Sequence, residues 1–346
     1  MAEDPQVTAP NLKITGLHIA GYRSIKHLDL PADGIGWAGQ VPDIIMVGGA
    51  NGSGKTTLLE ALFSVFAGLQ RNRLNERTIF PGAEEFRLDL SIRSEDLGAR
   101  TLRLALGRED FLKTQSAPDC YAIDPQGAPT HPPQTWREFL DAAINPVLLS
   151  RGKMPRVLYF PTDRQLTFPT AAEKSIDRPP DPDTMTWRFR PAETYKESLI
   201  NQLTWARFED LNDTADGHPE TATRFHADAD AFSRFVDRSK ELMWHRSNLR
   251  VRTADGTLHG LPELSSGEKQ VLIFAAELRR HWTPGSLVLI DEPELHLHAV
   301  WQSTLYELIR DLQRERGGQA ILATQSHHLF GLGDPGTKVV MRKDWP

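Results

Sequence analysis

Asp43-Ile44-Ile45-Met46-Val47-Gly48 runs straight into Gly49-Ala50-Asn51-Gly52-Ser53-Gly54-Lys55-Thr56. Thr57 to Leu69 follows with Leu58, Leu59, Leu62, Phe63, Phe66 and Leu69 at helical spacing. An unbroken apolar run suits a strand covered on both faces, and the spacing after it predicts an amphipathic helix. Between them, a glycine-rich turn brings backbone N–H groups around an anion without side-chain collision, and the helix start adds its positive end. Lys55 supplies a mobile charge for outer phosphates, and the Thr56 hydroxyl suits Mg²⁺. The stretch predicts a strand–loop–helix that holds ATP through Gly49, Ala50, Asn51, Gly52, Ser53, Gly54, Lys55, Thr56 and Thr57.

Two later segments give the loop its context. Leu287-Val288-Leu289-Ile290 is a second fully apolar strand, and it ends in Asp291-Glu292. Such a strand delivers both carboxylates to the C-terminal edge of a sheet, beside the phosphates. Asp291 is placed to hold Mg²⁺ and Glu292 to polarise an attacking water. The competing reading is a charge pair opening a helix at Pro293; it loses force once the upstream loop is counted. Leu264-Ser265-Ser266-Gly267-Glu268-Lys269-Gln270 starts a helix with two good N-cap types and an acid in the first turn.

Composition narrows the function classes. The 346 residues carry a formal charge of −6, which argues against a continuous nucleic-acid coat. The lone Cys120 excludes an intrachain disulfide and a cysteine metal cluster. The acidic start lacks a secretory pattern, and no apolar run nears the roughly 20 residues of a membrane span. The expectation is a cytoplasmic protein with no membrane partner.

Elsewhere, Leu12, Ile14, Leu17 and Ile19 predict a strand broken at Gly16, returning over His27–Leu30. Strands are expected at 86–92, 101–106, 156–160, 319–323 and 338–341. Helices are expected at 136–149 (interrupted by Pro146), 191–212, 222–247, 265–280 and 300–316. A hairpin is expected around Asp255-Gly256, and proline-rich loops at 118–133 and 169–186. The basic run Arg234, Arg238, Lys240, His245, Arg246, Arg250, Arg252 reads equally as a contact to DNA or RNA phosphates and as a solvated face.

These motifs in this order resemble the ATP-binding-cassette ATPases. The nearest likeness is to SMC-like and RecF-like heads and to AAA-type ATPases found beside OLD-family nucleases. The residues that carry it are Leu12–Ile25, Gly49–Thr56, Leu264–Gln270, Asp291–His298 and Ala323-Thr324-Gln325-Ser326; the middle of the chain is poorly covered. The resemblance implies an α/β P-loop ATPase head with a mixed central sheet flanked by helices. It further implies an N-terminal antiparallel β-subdomain and a helical lobe bearing the signature. Residues 1–346 then form one head, with 1–165 plus 285–346 as nucleotide core and 166–284 as signature lobe. It also implies a homodimer or higher oligomer closed around ATP, in which Ser265, Ser266, Gly267 and Glu268 of one protomer meet the γ-phosphate held by the other.

Further roles rest on the same resemblance. Gln165 is either a Mg²⁺-sensing glutamine or a loop glutamine. The turn at Tyr22-Arg23 lies near base and phosphates or is a plain exposed turn, and Arg23 is carried as an ATP-binding candidate. Gln325 stands where most relatives have a switch histidine; it can hydrogen-bond but cannot become charged, so the hydrolysis rate stays open. His296 and His298 are assigned to interface contacts. The implied activity is ATP hydrolysis, in a switch that controls a separately encoded effector in bacterial anti-phage defence. A RecF-like DNA-repair clamp is the alternative, and a transporter motor is a more distant one.

Overall fold

In the computed structural model, alternate residues of the central strands face two different apolar cores. The described residues are 10–31, 41–70, 84–94, 97–115, 119–123, 132–150, 154–169, 178, 184–221, 223–236, 238–246 and 248–342. Most of the proline-rich stretches expected at 118–133 and 169–186 lies outside them.

The strands are β1 (Asn11–Tyr22), β2 (Ile25–Leu30), β3 (Ile44–Gly49), β4 (Glu85–Ser94), β5 (Gly98–Gly107), β6 (Cys120–Ile123) and β7 (Val157–Phe160). They continue with β8 (Thr186–Arg188), β9 (Lys240–His245), β10 (Asn248–Thr253), β11 (Leu258–His259), β12 (Leu287–Asp291), β13 (Gln319–Thr324) and β14 (Lys338–Met341). The central sheet has the order β14-β3-β13-β12-β7-β8, and its pairings are parallel. A second sheet, β2-β1-β4-β5-β6, is antiparallel except at β5–β6, and β11-β10-β9 form a third.

The period of two explains the layering. Ile45 and Val47 of β3, Leu287 and Leu289 of β12, and Ile321 and Ala323 of β13 join one core. That core also takes Leu12, Ile14, Leu17 and Ile19 of β1, and Leu58, Leu59, Leu62 and Phe66 of α1 (Lys55–Gln70). Ile44, Met46, Val288, Ile290, Ala320 and Leu322 point into the other. There they meet apolar residues of α2 (Leu199–Ala215), α3 (Arg224–Phe235), α4 (Ser266–Ile273) and α5 (Ala299–Arg316). Coverage on both faces is why these strands read as unbroken apolar runs.

Gln319 stitches the two large sheets together. Its fully buried side chain accepts from Ile14 N at 2.9 Å and donates to Pro42 O at 2.8 Å and Ile14 O at 3.3 Å. The break expected at Gly16 is a bulge, with the β1–β4 register shifting between Ile14 and Gly16. A Cβ on Gly16 would lie 2.6 Å from an Asp89 carboxylate oxygen.

Several expectations are corrected. Helix α3 stops at Phe235, and residues 240–245, expected to continue it, form β9. Leu242 and Trp244 pair with Val251 and Leu249 of β10, so strand pairing outweighs helical spacing. The helix expected from 191 begins at Leu199, where the Ser198 hydroxyl caps the Asn201 N–H. β6 and β8 occupy ground expected to be loop. Pro146 does end one helix (Gln134–Ala143) and open another (Pro146–Ser150).

Candidate functional site

The C-terminal ends of β3, β12 and β13 assemble the candidate site. β3 ends at Gly49 and α1 starts at Lys55, with the loop between them. Gly52 and Gly54 sit at φ 79° and 98°, values that favour glycine. A Cβ on Gly54 would lie 2.8 Å from Ile25 Cγ1, so the β1–β2 hairpin packs beneath the loop. Lys55 is buried and donates to Gly49 O at 2.8 Å and Ala50 O at 3.2 Å. Ala50, Asn51, Gly52 and Thr56 are exposed, while Ser53 is buried with its hydroxyl unpartnered.

Asp291 closes the site from below. It is fully buried, and neither carboxylate oxygen has a hydrogen bond of ordinary geometry. Burial raises its pKa to about 6; the nearby Thr56 hydroxyl works against that rise and the Glu292 carboxylate adds to it. An orphaned buried carboxylate beside a threonine hydroxyl is a hard oxygen donor set, and it fits Mg²⁺.

Glu292 follows at φ 42°, a left-handed conformation that costs a non-glycine residue about 1–3 kcal/mol and clusters at active sites. Its N–H donates to Ala323 O at 2.8 Å. Its side chain accepts from Gln325 Nε2 at 3.5 Å, so the structure brings these two candidates together.

Two residues that the sequence reading passed over hold this edge. Glu294 is buried, and one of its oxygens accepts from the N–H groups of Gln325 at 2.7 Å and Ser326 at 3.0 Å. Arg164 is also buried and donates to the carbonyls of Asp291 at 2.7 Å and Glu292 at 3.0 Å. It also donates to Gln270 Oε1 at 3.2 Å, while Gln270 Nε2 donates back to Arg164 O at 2.8 Å. Its guanidinium stacks over Phe274 at 4.9 Å. Burial lowers its pKa to about 10, so it stays charged. Arg164 thereby ties the acidic strand end to the helix bearing Ser266. An arginine next to Gln165, after an apolar strand, was the available signal. Gln165 itself is exposed.

Ser265 caps α4, accepting from the Glu268 N–H while Glu268 accepts from the Ser265 N–H at 2.9 Å. Burial works against the Glu268 charge, but Lys240 at 2.6 Å and Ser265 hold its pKa below the ordinary value. Ser265 and Ser266 are exposed at the helix start. A Cβ on Gly267 would lie 2.6 Å from His296 O, so the segment after Asp291 presses on the signature helix. Arg23, at φ 50°, pairs with Glu60 of α1 at 3.4 Å and lies over the Tyr22 ring; it stands beside the loop helix.

Two family models match the chain. Residues 164–330 fit one described as "AAA domain, putative AbiEii toxin, Type IV TA system", and residues 16–118 fit another described as "AAA domain". Both descriptions name an AAA domain, and neither model covers half of the chain. A curated relative that matches part of the chain is the lipoprotein-releasing system ATP-binding protein LolD of Maricaulis maris (strain MCS10), 31% identical over 102 residues. That match spans 30% of this chain and 41% of LolD. Among solved structures, the Smc head domain of Pyrococcus furiosus, bound to the C-terminal domain of ScpA, aligns with TM-score 0.48 and 16% identity. It covers 96% of this chain and 94% of that one. The SMC head domain of Thermotoga maritima aligns with TM-score 0.44 and 15% identity, over 93% and 92%.

Part of the basic run is internally paired. Lys240 bonds Glu268, Arg252 bonds Glu241 and Arg234 bonds Asp230. His296 and His298 are exposed. Among the described residues, no helix is long and apolar enough to cross a membrane.

Proposed function

We propose that the chain works as one ATPase head that binds MgATP at Gly49–Thr57, hydrolyses it, and dimerises around it. The buried, unpartnered Asp291 carboxylate behind Lys55 and Thr56 carries this reading, because that burial is costly unless a cation is to be held there. Backbone N–H groups of Gly52 to Lys55 bind the phosphates, with Lys55 turning from the loop carbonyls to the outer ones. Thr56 and Asp291 hold Mg²⁺, with Gln165 as a further candidate; when bound, the ion neutralises charge on the phosphates. Glu292 accepts a proton from the attacking water, and Gln325 orients that water through its amide. Arg23 neutralises charge near the loop helix.

In the dimer, Ser266 and the N–H groups at the start of α4 complete the partner's pocket. The exposed Ser266 at the capped start of α4 supports this arrangement over a head acting alone. The family description naming a putative toxin and a type IV toxin–antitoxin system supports a switch that governs a separate effector in bacterial defence. The paired basic side chains favour this over a DNA clamp.

A mixing experiment tests the shared pocket. Lys55→Ala and Ser266→Arg each abolish hydrolysis alone, and their mixture regains part of it, since one composite pocket is then intact. Failure of the mixture to recover sinks the trans arrangement. Glu292→Gln is expected to lower turnover about 10²–10⁴-fold while doubling the ATP-bound mass by light scattering; unchanged turnover would remove Glu292 as base.

A further inference from the structure

The outer face of the β1–β2 hairpin carries a second cluster of chemical side chains, away from the phosphate loop. Strand periodicity puts Leu28 and Leu30 into the core and leaves His27 and Asp29 together on the other face. Antiparallel pairing sets His18 directly opposite Asp29 and His27 opposite Ala20. Three metal-ligating residues from two strands therefore meet at one spot, with the small Ala20 as the fourth member of the two cross-strand pairs.

The side chains converge. His18 Nδ1 is 2.8 Å from one Asp29 oxygen, and His27 Nε2 is 2.6 Å from the other. One ligand atom from each residue lies within 4.8 Å of the rest. The other His18 nitrogen, Nε2, is 3.2 Å from Glu85 Oε2 on β4, and the ring stacks on Phe111 at 5.6 Å. His18 is thus fixed in orientation by a carboxylate behind it and an aromatic wall beside it. His18 and Asp29 are largely buried, with side-chain exposures of 13% and 18%, whereas His27 is 60% exposed.

We propose that His18 Nδ1, His27 Nε2 and the Asp29 carboxylate bind a borderline divalent cation of the zinc class, with Glu85 positioning His18. Two imidazoles and one carboxylate are the donor set zinc accepts, with bonds of about 2.0–2.2 Å and a fourth position left to water. A histidine ligand whose other nitrogen donates to a carboxylate is the usual supporting arrangement, and it fixes the tautomer. Mg²⁺ prefers an all-oxygen shell, so the cluster discriminates between the two ions. The ion would clip β1 to β2, the hairpin that packs under Gly54 through Ile25. Its role is structural: it stiffens the floor of the phosphate loop.

The full chain, stripped with chelator and kept free of nucleotide and Mg²⁺, is titrated with Zn²⁺ by calorimetry and with Co²⁺ by visible absorption. One ion per chain is expected. His27→Ala, at an exposed position that leaves the fold intact, should weaken binding at least tenfold and remove the Co²⁺ band. Glu85→Gln should weaken it about 10–100-fold with the stoichiometry kept. Asp291→Asn should bind Zn²⁺ as the parent does. The proposal is overturned if no ion is taken up at several-fold excess, which would leave a hydrogen-bonded cluster only. It is equally overturned if His27→Ala binds as tightly as the parent, or if Asp291→Asn loses the ion.

Discussion

Asp291 makes the site sensitive to pH in a defined direction. Burial raises its pKa from the ordinary 3.8 to about 6. The folded chain holds that proton more tightly than an unfolded one. The stabilisation is therefore complete below the ordinary value and is lost progressively as pH rises from there through about 6, above which roughly 3 kcal/mol is gone. In metal-free protein, Asp291→Asn should melt near the parent at pH 4, draw progressively above it between about pH 4 and 6, and keep a constant lead at higher pH; a gap that does not change between about pH 4 and 6 would contradict this. Arg164 permits a sharper test. Its planar fork serves two carbonyls at the strand end and Gln270 at once. Arg164→Met should lose at least about 2 kcal/mol in denaturant unfolding, and Arg164→Lys should restore little, because one ammonium cannot span the same acceptors.

At the scale of elements, the close approach of Gly267 to His296 O makes a side chain there costly. Gly267→Ala should destabilise by about 1–3 kcal/mol and push the 291–298 segment away from α4, read as a lower melting temperature with reduced turnover. The motif-bearing elements were legible from sequence because their patterns are strong. β3 and β12 are unbroken apolar runs, and α4 announces itself by its serine cap. β9 was not legible. The turns on either side of it use Arg238 at φ 54° and Arg246 at φ 48°, so no glycine marks where α3 ends or where the β9–β10 hairpin bends. Arg164 and Glu294 escaped for a different reason: the bonds that place them at this edge run to backbone groups of Asp291, Glu292, Gln325 and Ser326, distant in sequence, and no spacing rule encodes those.

Across the whole molecule, the two large sheets are joined by the buried hydrogen bonds of Gln319, which serve Ile14 N, Ile14 O and Pro42 O. Gln319→Leu should cost about 1–3 kcal/mol for each backbone group left unpaired, measured as a lower unfolding midpoint; an unchanged midpoint would mean the sheets are held by packing alone. The alternation that separates the two cores carries one more consequence. Delete one residue from Leu287–Ile290 and every side chain upstream or downstream of the cut swaps its oily compartment, so the carboxylate is retained in composition yet misdirected in space. Delete two and the parity returns, but the strand's reach shortens by about 6–7 Å. The candidate site is therefore guarded by arithmetic: only a strand of the right length and the right parity delivers its acid to the sheet edge beside Lys55 and Thr56.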